Sequence, residues 1–194
     1  MRPTLIGAPA IEPVSLADAK SWLRTDASDE DDLIQALIVS ARMTLEANTR
    51  RFFVTQNWRL AFDAWPTAAR ADGGVNVVIP FAPFCSVDAI RVFGADDVAQ
   101  IVAPTSYRAP ASPESGRVVF SASPAAPGRV ADGVEIDVTV GYGARAADTP
   151  EPLRRALLML VAHWSENRGD AATSGALPPA VAALAAPYRR ERLR

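Results

Sequence analysis

Histidine and cysteine, which build most metal sites and disulfides, occur only once each in this 194-residue sequence, as His163 and Cys85. A single cysteine excludes an internal disulfide, and one histidine with one cysteine argues against a zinc site made by one chain. Cys85 lies in an apolar, proline-containing run, so we interpret it as a small buried hydrophobe. His163 and Glu166 could share a helix face as metal ligands do, but a local hydrogen bond beside an apolar stripe explains His163 more simply.

Long apolar runs and a dominant charge are also missing. No stretch approaches the ~20 apolar residues of a membrane span, and the first residues lack the apolar core of a signal peptide, so we expect a cytoplasmic protein with no membrane partner. The formal net charge of −2 provides no overall basic field, so nucleic-acid binding through phosphate neutralisation is not the predicted main activity. The composition, 49% apolar and 22% charged, is that of a folded domain.

The sequence also lacks a set of residues that would form a catalytic centre. Gly141-Tyr142-Gly143 is too short for a phosphate-binding loop and is interpreted as a turn. The acidic run Asp29, Glu30, Asp31 and Asp32 lacks the spacing of a calcium loop, and the start of a helix explains it better than a cation site. No two carboxylates form a defensible acid–base pair. The sequence therefore predicts a protein that is not an enzyme and holds no cofactor or metal.

Capping signals and apolar periodicity predict three helices. Ser15-Leu16-Ala17-Asp18 has the pattern of a capping box and begins the first helix. The second begins in the acidic run and continues to about Arg50, and the third extends from a cap at Thr149 to a stop at Gly169. The apolar stripes of the second and third helices are Leu33, Ile34, Leu37, Ile38, Ala41 and Leu45, and Leu153, Ala156, Leu157, Leu160, Val161 and Trp164.

Between these helices the sequence changes to short runs of β-forming residues separated by Pro, Gly and Asp clusters. The runs predict about five strands, at 58–62, 75–79, 87–93, 117–120 and 134–140. The predicted fold class is α+β, a helical bundle formed by N- and C-terminal helices with an inserted small antiparallel β module. The predicted segments are N-terminal helices at 1–52, a β-rich insertion at 53–147, a bundle helix at 148–170 and a flexible docking tail at 171–194.

The C-terminal tail carries the least ordinary composition of the chain. Tyr188, Arg189, Arg190 and Arg192 follow a proline-containing segment, and arginine and tyrosine are favoured at protein interfaces. The composition alone leaves two interpretations open, a frayed chain end and a docking peptide.

Several segments, in order along nearly the whole chain, resemble the head–tail connector (adaptor) proteins of long-tailed phages, prophages and gene transfer agents. The most specific is His163-Trp164-Ser165-Glu166-Asn167-Arg168 following Gly141-Tyr142-Gly143, although Ser165 stands where the family more often has an aromatic residue. The other matching stretches are Ser15 to Asp26, Asp31 to Ile34, Ala41-Arg42, Thr49, Thr55 to Trp58, Phe62 to Pro66, Ile79 to Val87, Tyr107-Arg108, Pro150 to Leu153 and Pro187 to Arg190.

The resemblance implies a structural virion subunit in a twelvefold homo-oligomeric ring in the particle neck, assembled in the host cytoplasm. Its expected partners are the portal protein above and a stopper or other neck or tail protein below, with DNA passing through the channel without specific binding. Tyr188, Arg189, Arg190 and Arg192 are the expected portal or subunit interface, and Asp29, Glu30, Asp31 and Asp32 are candidates for the channel wall. A head-completion or tail-terminator protein is the alternative, and a metal-binding protein or enzyme a distant third.

Overall fold

The computed structural model describes residues 1–66, 68–69, 75–167 and 176–190, which form four α-helices and nine strands. The predicted α+β class is confirmed. The helices are α1 (Leu16–Leu23), α2 (Asp31–Thr49), α3 (Glu151–Glu166) and α4 (Pro179–Ala185). The strands are β1 (Arg2–Gly7), β2 (Gln56–Phe62), β3 (Ala68–Ala69), β4 (Val75–Ile79), β5 (Phe84–Phe93), β6 (Ala99–Ile101), β7 (Tyr107–Arg108), β8 (Gly116–Phe120) and β9 (Val134–Val140).

The chain divides into two compact units, and each contains residues that are distant in sequence. The β-rich unit consists of Met1–Pro9 and Thr55–Gly141, and the helical unit of Ala10–Val54 and Tyr142–Arg194. These units differ from the predicted segments at 1–52 and 53–147. The first residues form β1 and pair with β2 instead of joining the helices. Among the described residues, no helix combines the length and apolar composition that crossing a membrane requires.

The β-rich unit contains two antiparallel sheets. One has the strand order β1-β2-β9-β5-β6 and the other β3-β4-β8-β7. Every second residue of β9 from Val134 to Val140 is buried, and Leu60 of β2, Ile136 of β9 and Ile90 of β5 form a buried cross-strand row. Gly116 of β8 lets the ring of Phe84 approach the backbone closely, since an added Cβ would lie 2.3 Å from that ring. All five predicted strands are present, and β1, β3, β6 and β7 are additional.

The helical unit has one apolar core to which all four helices contribute. The apolar face of α2 and that of α3 lie in this core, with Val181 and Ala185 of α4. Leu33 is an exception to the predicted stripe of α2, because its side chain is 40% exposed. The buried core residues are Val14, Ala19, Ile34, Ile38, Ala41, Leu45, Phe53, Val54, Leu153, Ala156, Leu157, Leu160, Val161, Val181 and Ala185.

The start of α1 and the end of α2 are set by residues close in sequence, whereas the start of α3 is not. Ser15 and Asp18 form the predicted capping box, in which each side chain bonds the other residue's backbone N–H. The helix α2 ends at Arg50, which adopts the left-handed conformation at φ 57°. The predicted cap of α3 is wrong, because the Thr149 hydroxyl instead donates to the Phe53 carbonyl oxygen at 2.7 Å. The helix α3 ends at Glu166 with Asn167 as its C-cap, and the predicted stop at Gly169 lies outside the described residues.

Within the predicted flexible tail at 171–194, residues 179–190 make contacts inside the helical unit, whereas 171–175 and 191–194 lie outside the described residues. Residues 179–185 form α4, whose Val181 and Ala185 side chains are 1% exposed in the helical core. Beyond α4, the Tyr188 carbonyl oxygen accepts a hydrogen bond from Arg51 Nε at 2.7 Å. The Arg190 backbone N–H donates to the Thr49 carbonyl oxygen at 3.0 Å. Alanine-rich α4 packs because burying even a short apolar face offsets the entropy of ordering it.

Candidate interaction surfaces

The four acidic residues at the start of α2 do not form one exposed cluster. Asp29 and Asp32 are exposed, whereas Glu30 and Asp31 are half-buried. Asp31 Oδ1 accepts from Lys20 Nζ at 2.7 Å, so part of the negative charge is neutralised by α1. Carboxylates at a helix N-terminus are stabilised by the unpaired backbone N–H groups there. The described residues contain no group of three or more His, Cys, Asp or Glu side chains arranged to hold a metal ion.

The predicted C-terminal interface residues occupy different environments. Tyr188 is half-buried and packs against the helical core, whereas Arg189 is exposed. Arg190 is half-buried and held through its backbone, and Arg192 lies outside the described residues. Among the described members of the set, Arg189 is therefore the one whose side chain is most available to another protein.

A buried ion-pair network connects the N-terminal segment to α2. Arg42 Nε donates to Glu12 Oε2 at 2.7 Å, and Arg42 Nη1 donates to Glu46 Oε2 at 2.9 Å. Glu46 also accepts from the Phe53 backbone N–H at 2.8 Å. Burial raises the pKa of the Glu46 carboxyl, because desolvation outweighs the attraction of Arg42 and the bond from Phe53. The network brings 10–14, α2 and the segment after α2 together, and its members are too scattered in sequence to be recognised as a group.

A second charged cluster lies on the polar face of the five-stranded sheet. Asp137 of β9 accepts two hydrogen bonds from Arg59 of β2, at 2.7 and 2.9 Å, and one from Arg91 of β5 at 2.6 Å. Burial alone would raise the pKa of Asp137, but the bonds from Arg59 and Arg91 outweigh it and lower the pKa. The cluster joins three neighbouring strands through charge-assisted bonds.

Because its pKa is lowered on folding, Asp137 should stabilise the β-rich unit above the ordinary carboxyl pKa of about 3.9 and lose that contribution as the pH falls through the lowered folded value. The unfolding free energy, measured by denaturant titration from pH 6 to pH 2, should therefore fall less steeply for Asp137→Asn than for the unsubstituted chain. Asp26→Asn, at an exposed position, is the control and should keep the original slope. An unchanged slope in Asp137→Asn would contradict this assignment.

Comparison with known proteins identifies the relatives of the chain. Residues 13–68, which include α1, α2 and β2, match the model of the phage gp6-like head-tail connector protein family. The structure matches a chain from the neck of an empty gene transfer agent (GTA) particle computed with C6 symmetry, with a TM-score of 0.83 and 28% identity over 100% of this chain and 98% of that one. The predicted resemblance is confirmed.

Two further solved structures are similar to this connector-like chain. One is the virion of a native GTA particle, with a TM-score of 0.82, and the other is the neck of a native GTA particle computed with C12 symmetry, with a TM-score of 0.75. Both are 27% identical and cover 100% of this chain and 98% of the matched chain. A search of curated proteins gives no match. The similarity to the neck chains therefore extends over both units.

Sequence reasoning missed two exposed helix faces that carry no charge. Between Leu33 and Thr49 of α2 the charged residues are Arg42 and Glu46, and both are buried. The exposed side of α4 is formed by alanine and proline. A solvated helix normally carries charged residues on its outer face. The sequence does contain this information, because the exposed positions of α2 between Leu33 and Thr49 and those of α4 carry no charged residues. It can be recognised only when the buried side of each helix is known.

Proposed function

We propose that this chain is a structural subunit of the head–tail connector ring in the neck of a phage or gene transfer agent particle. The observation that supports this most strongly is the match to a particle-neck chain over both units, at a TM-score of 0.83. The family match at 13–68 supports the same role independently. Necks computed with C6 and C12 symmetry favour a ring of identical subunits, and we propose twelve copies.

In this proposal the ring binds below the portal protein and extends the DNA channel towards the stopper and tail. DNA must slide through such a ring, so its wall should not hold phosphates tightly. The exposed carboxylates of Asp29 and Asp32 fit a channel wall that repels the duplex, with Glu30 and Asp31 beside them. The arginine side chain at Arg189 fits a contact to carboxylates of the portal or of a neighbouring subunit, with Tyr188, Arg190 and Arg192 as the rest of that surface.

The experiment that tests the role is a reconstruction of particles from cells that express the chain with an affinity tag. The expected result is one ring of the chain between head and tail, with twelve copies and no continuous contact to duplex DNA. A position at the end of the tail tube, or inside the head, would assign a tail-terminator or head-completion role instead. Retention of duplex DNA by the purified chain at physiological salt would contradict a repelling channel wall.

Reversing the charge of Arg189 should block assembly without affecting the fold. Arg189→Glu removes a bidentate donor and adds repulsion at the proposed interface, and loss of a hot-spot side chain costs about 2 kcal/mol or more. We expect the melting temperature to stay unchanged and the yield of tailed particles to fall at least tenfold, counted by electron microscopy. Arg117→Glu, at an exposed position on β8, is the matched control and should give normal yields. Normal yields from Arg189→Glu would show that Arg189 does not contribute to docking.

A further inference from the structure

The outer face of α2 is unusual for a helix surface in contact with water. Met43 is 59% exposed, Leu33 40% and Val39 37%. No charged residue shares this face between Leu33 and Thr49. The residues at spacings of three and four along it are Leu33, Ala36, Ser40, Met43 and Ala47, which we call the α2 stripe.

The α2 stripe has the dimensions and composition of a helix-packing seam. At 1.5 Å per residue it extends for about 21 Å, roughly four turns. Alternating spacings of three and four place its residues on one side of the helix, as in the seam between two packed helices. The small residues Ala36, Ser40 and Ala47 would let another backbone approach closely, while Leu33 and Met43 protrude as apolar knobs.

A second uncharged surface lies on α4 and the turn that follows it. Ala180, Ala183 and Ala186 are exposed at a spacing of three, with Pro187 beside them. We call these four residues the α4 face. It has no large side chain, so longer apolar side chains of another helix can pack against it. The large side chains of the α2 stripe and the small ones of the α4 face are complementary in size.

The α2 stripe and the α4 face belong to the same helical unit, so each copy of the chain has both surfaces. A ring of more than two copies needs two different surfaces on each subunit, because each copy contacts the next head to tail. The solved necks that the chain resembles were computed with C6 and C12 symmetry. A chain with two distinct, complementary and uncharged helix faces meets this requirement, whereas a two-fold contact of the α2 stripe with itself would not close such a ring.

We propose that the α2 stripe of one copy packs against the α4 face of the next copy and forms the subunit interface of the ring. This rests on the proposed function. Burial of Leu33 and Met43 in that interface accounts for their exposure in the single chain. It also separates the role of α4 from that of Arg189. The helix α4 forms the contact with the next copy in the ring, and Arg189 lies after α4 in the chain.

The sharpest test uses photo-methionine, a diazirine analogue close to methionine in size, incorporated during particle production. The chain has three methionines: Met1, Met43 in the stripe and Met159, which packs against the helical core. Irradiation of purified particles should link two copies, and mass spectrometry should identify a peptide joining Met43 to residues 179–188. The variant Met43→Leu should lose this link and keep any formed by Met1. A Met43 link to α2 of another copy, or to another protein, would overturn the interface.

A charge-exchange experiment tests the same contact through assembly. Met43→Glu should reduce the amount of the chain in purified particles at least tenfold, and the double variant Met43→Glu/Ala183→Arg should recover several-fold over it, because each interface then has one charge of each sign. Ala17→Glu, which adds the same charge at an exposed position of α1, should be incorporated normally. Normal incorporation of Met43→Glu would overturn the proposal. Absence of the unsubstituted chain from particles would instead overturn the proposed function.

Discussion

Replacing Leu157 with alanine should lower the free energy of unfolding of the helical unit by about 2–5 kcal/mol. Leu157 lies on the inner face of α3 and is 0% exposed, within the core shared by all four helices. The substitution removes buried apolar surface and leaves a cavity that close-packed neighbours fill only in part. Denaturant titration followed by far-UV circular dichroism measures the change.

The matched control for this prediction is Leu5→Ala. Leu5 is the same residue type but is 44% exposed on β1, so its truncation removes little buried surface and should cost less than about 1 kcal/mol. If both substitutions had equal effects, the core described around Leu157 would be wrong.

Replacing Arg42 with alanine should destabilise the helical unit by about 3–5 kcal/mol at pH 7. Arg42 is the shared partner of Glu12 and Glu46, and its removal takes away the guanidinium that pairs with both carboxylates, of which Glu46 is buried. The cost arises mainly from taking a cation away from a buried carboxylate, since breaking a buried ion pair costs more than the intact pair contributes. Arg108→Ala, at an exposed position, should change stability by no more than about 0.5 kcal/mol.

The pH dependence of the Arg42→Ala variant distinguishes loss of charge from loss of packing. Burial already holds the pKa of Glu46 above its ordinary value, and removal of Arg42 should raise it further. A carboxyl with a raised folded pKa favours the folded state below its unfolded pKa and loses that contribution as the pH rises through the folded value. The deficit of the variant should therefore shrink as the pH is lowered from 7 to 5. A deficit independent of pH would mean that Arg42 acts through packing alone.

The sequence determined the features that depend on neighbouring residues. The capping box of Ser15 and Asp18 involves residues three apart, and its prediction is confirmed. The inner face of α2 follows from a period of 3.6 residues, and its prediction is confirmed except for Leu33. The strand at 134–140 alternates apolar and polar residues, and its Val134, Ile136, Val138 and Val140 are all buried. The resemblance to head–tail connector proteins can also be recognised from the sequence, because it depends on the order of short motifs along the chain.

Features that depend on partners distant in sequence follow from long-range packing and could not be predicted from local patterns. Strand β1 has consecutive exposed Leu5 and Ile6 and no alternation, and it is ordered by pairing with β2, from Arg2 opposite Ala61 to Gly7 opposite Asn57. Thr149 bonds Phe53 instead of capping α3, and Arg42 is buried because Glu12 and Glu46 converge on it. Within the predicted flexible tail, α4 packs in the helical core through Val181 and Ala185. The exposure of Leu33 and Met43 follows from which side of α2 faces that core. Local periodicity predicts that a helix has an apolar side, whereas long-range packing selects which apolar residues stay exposed.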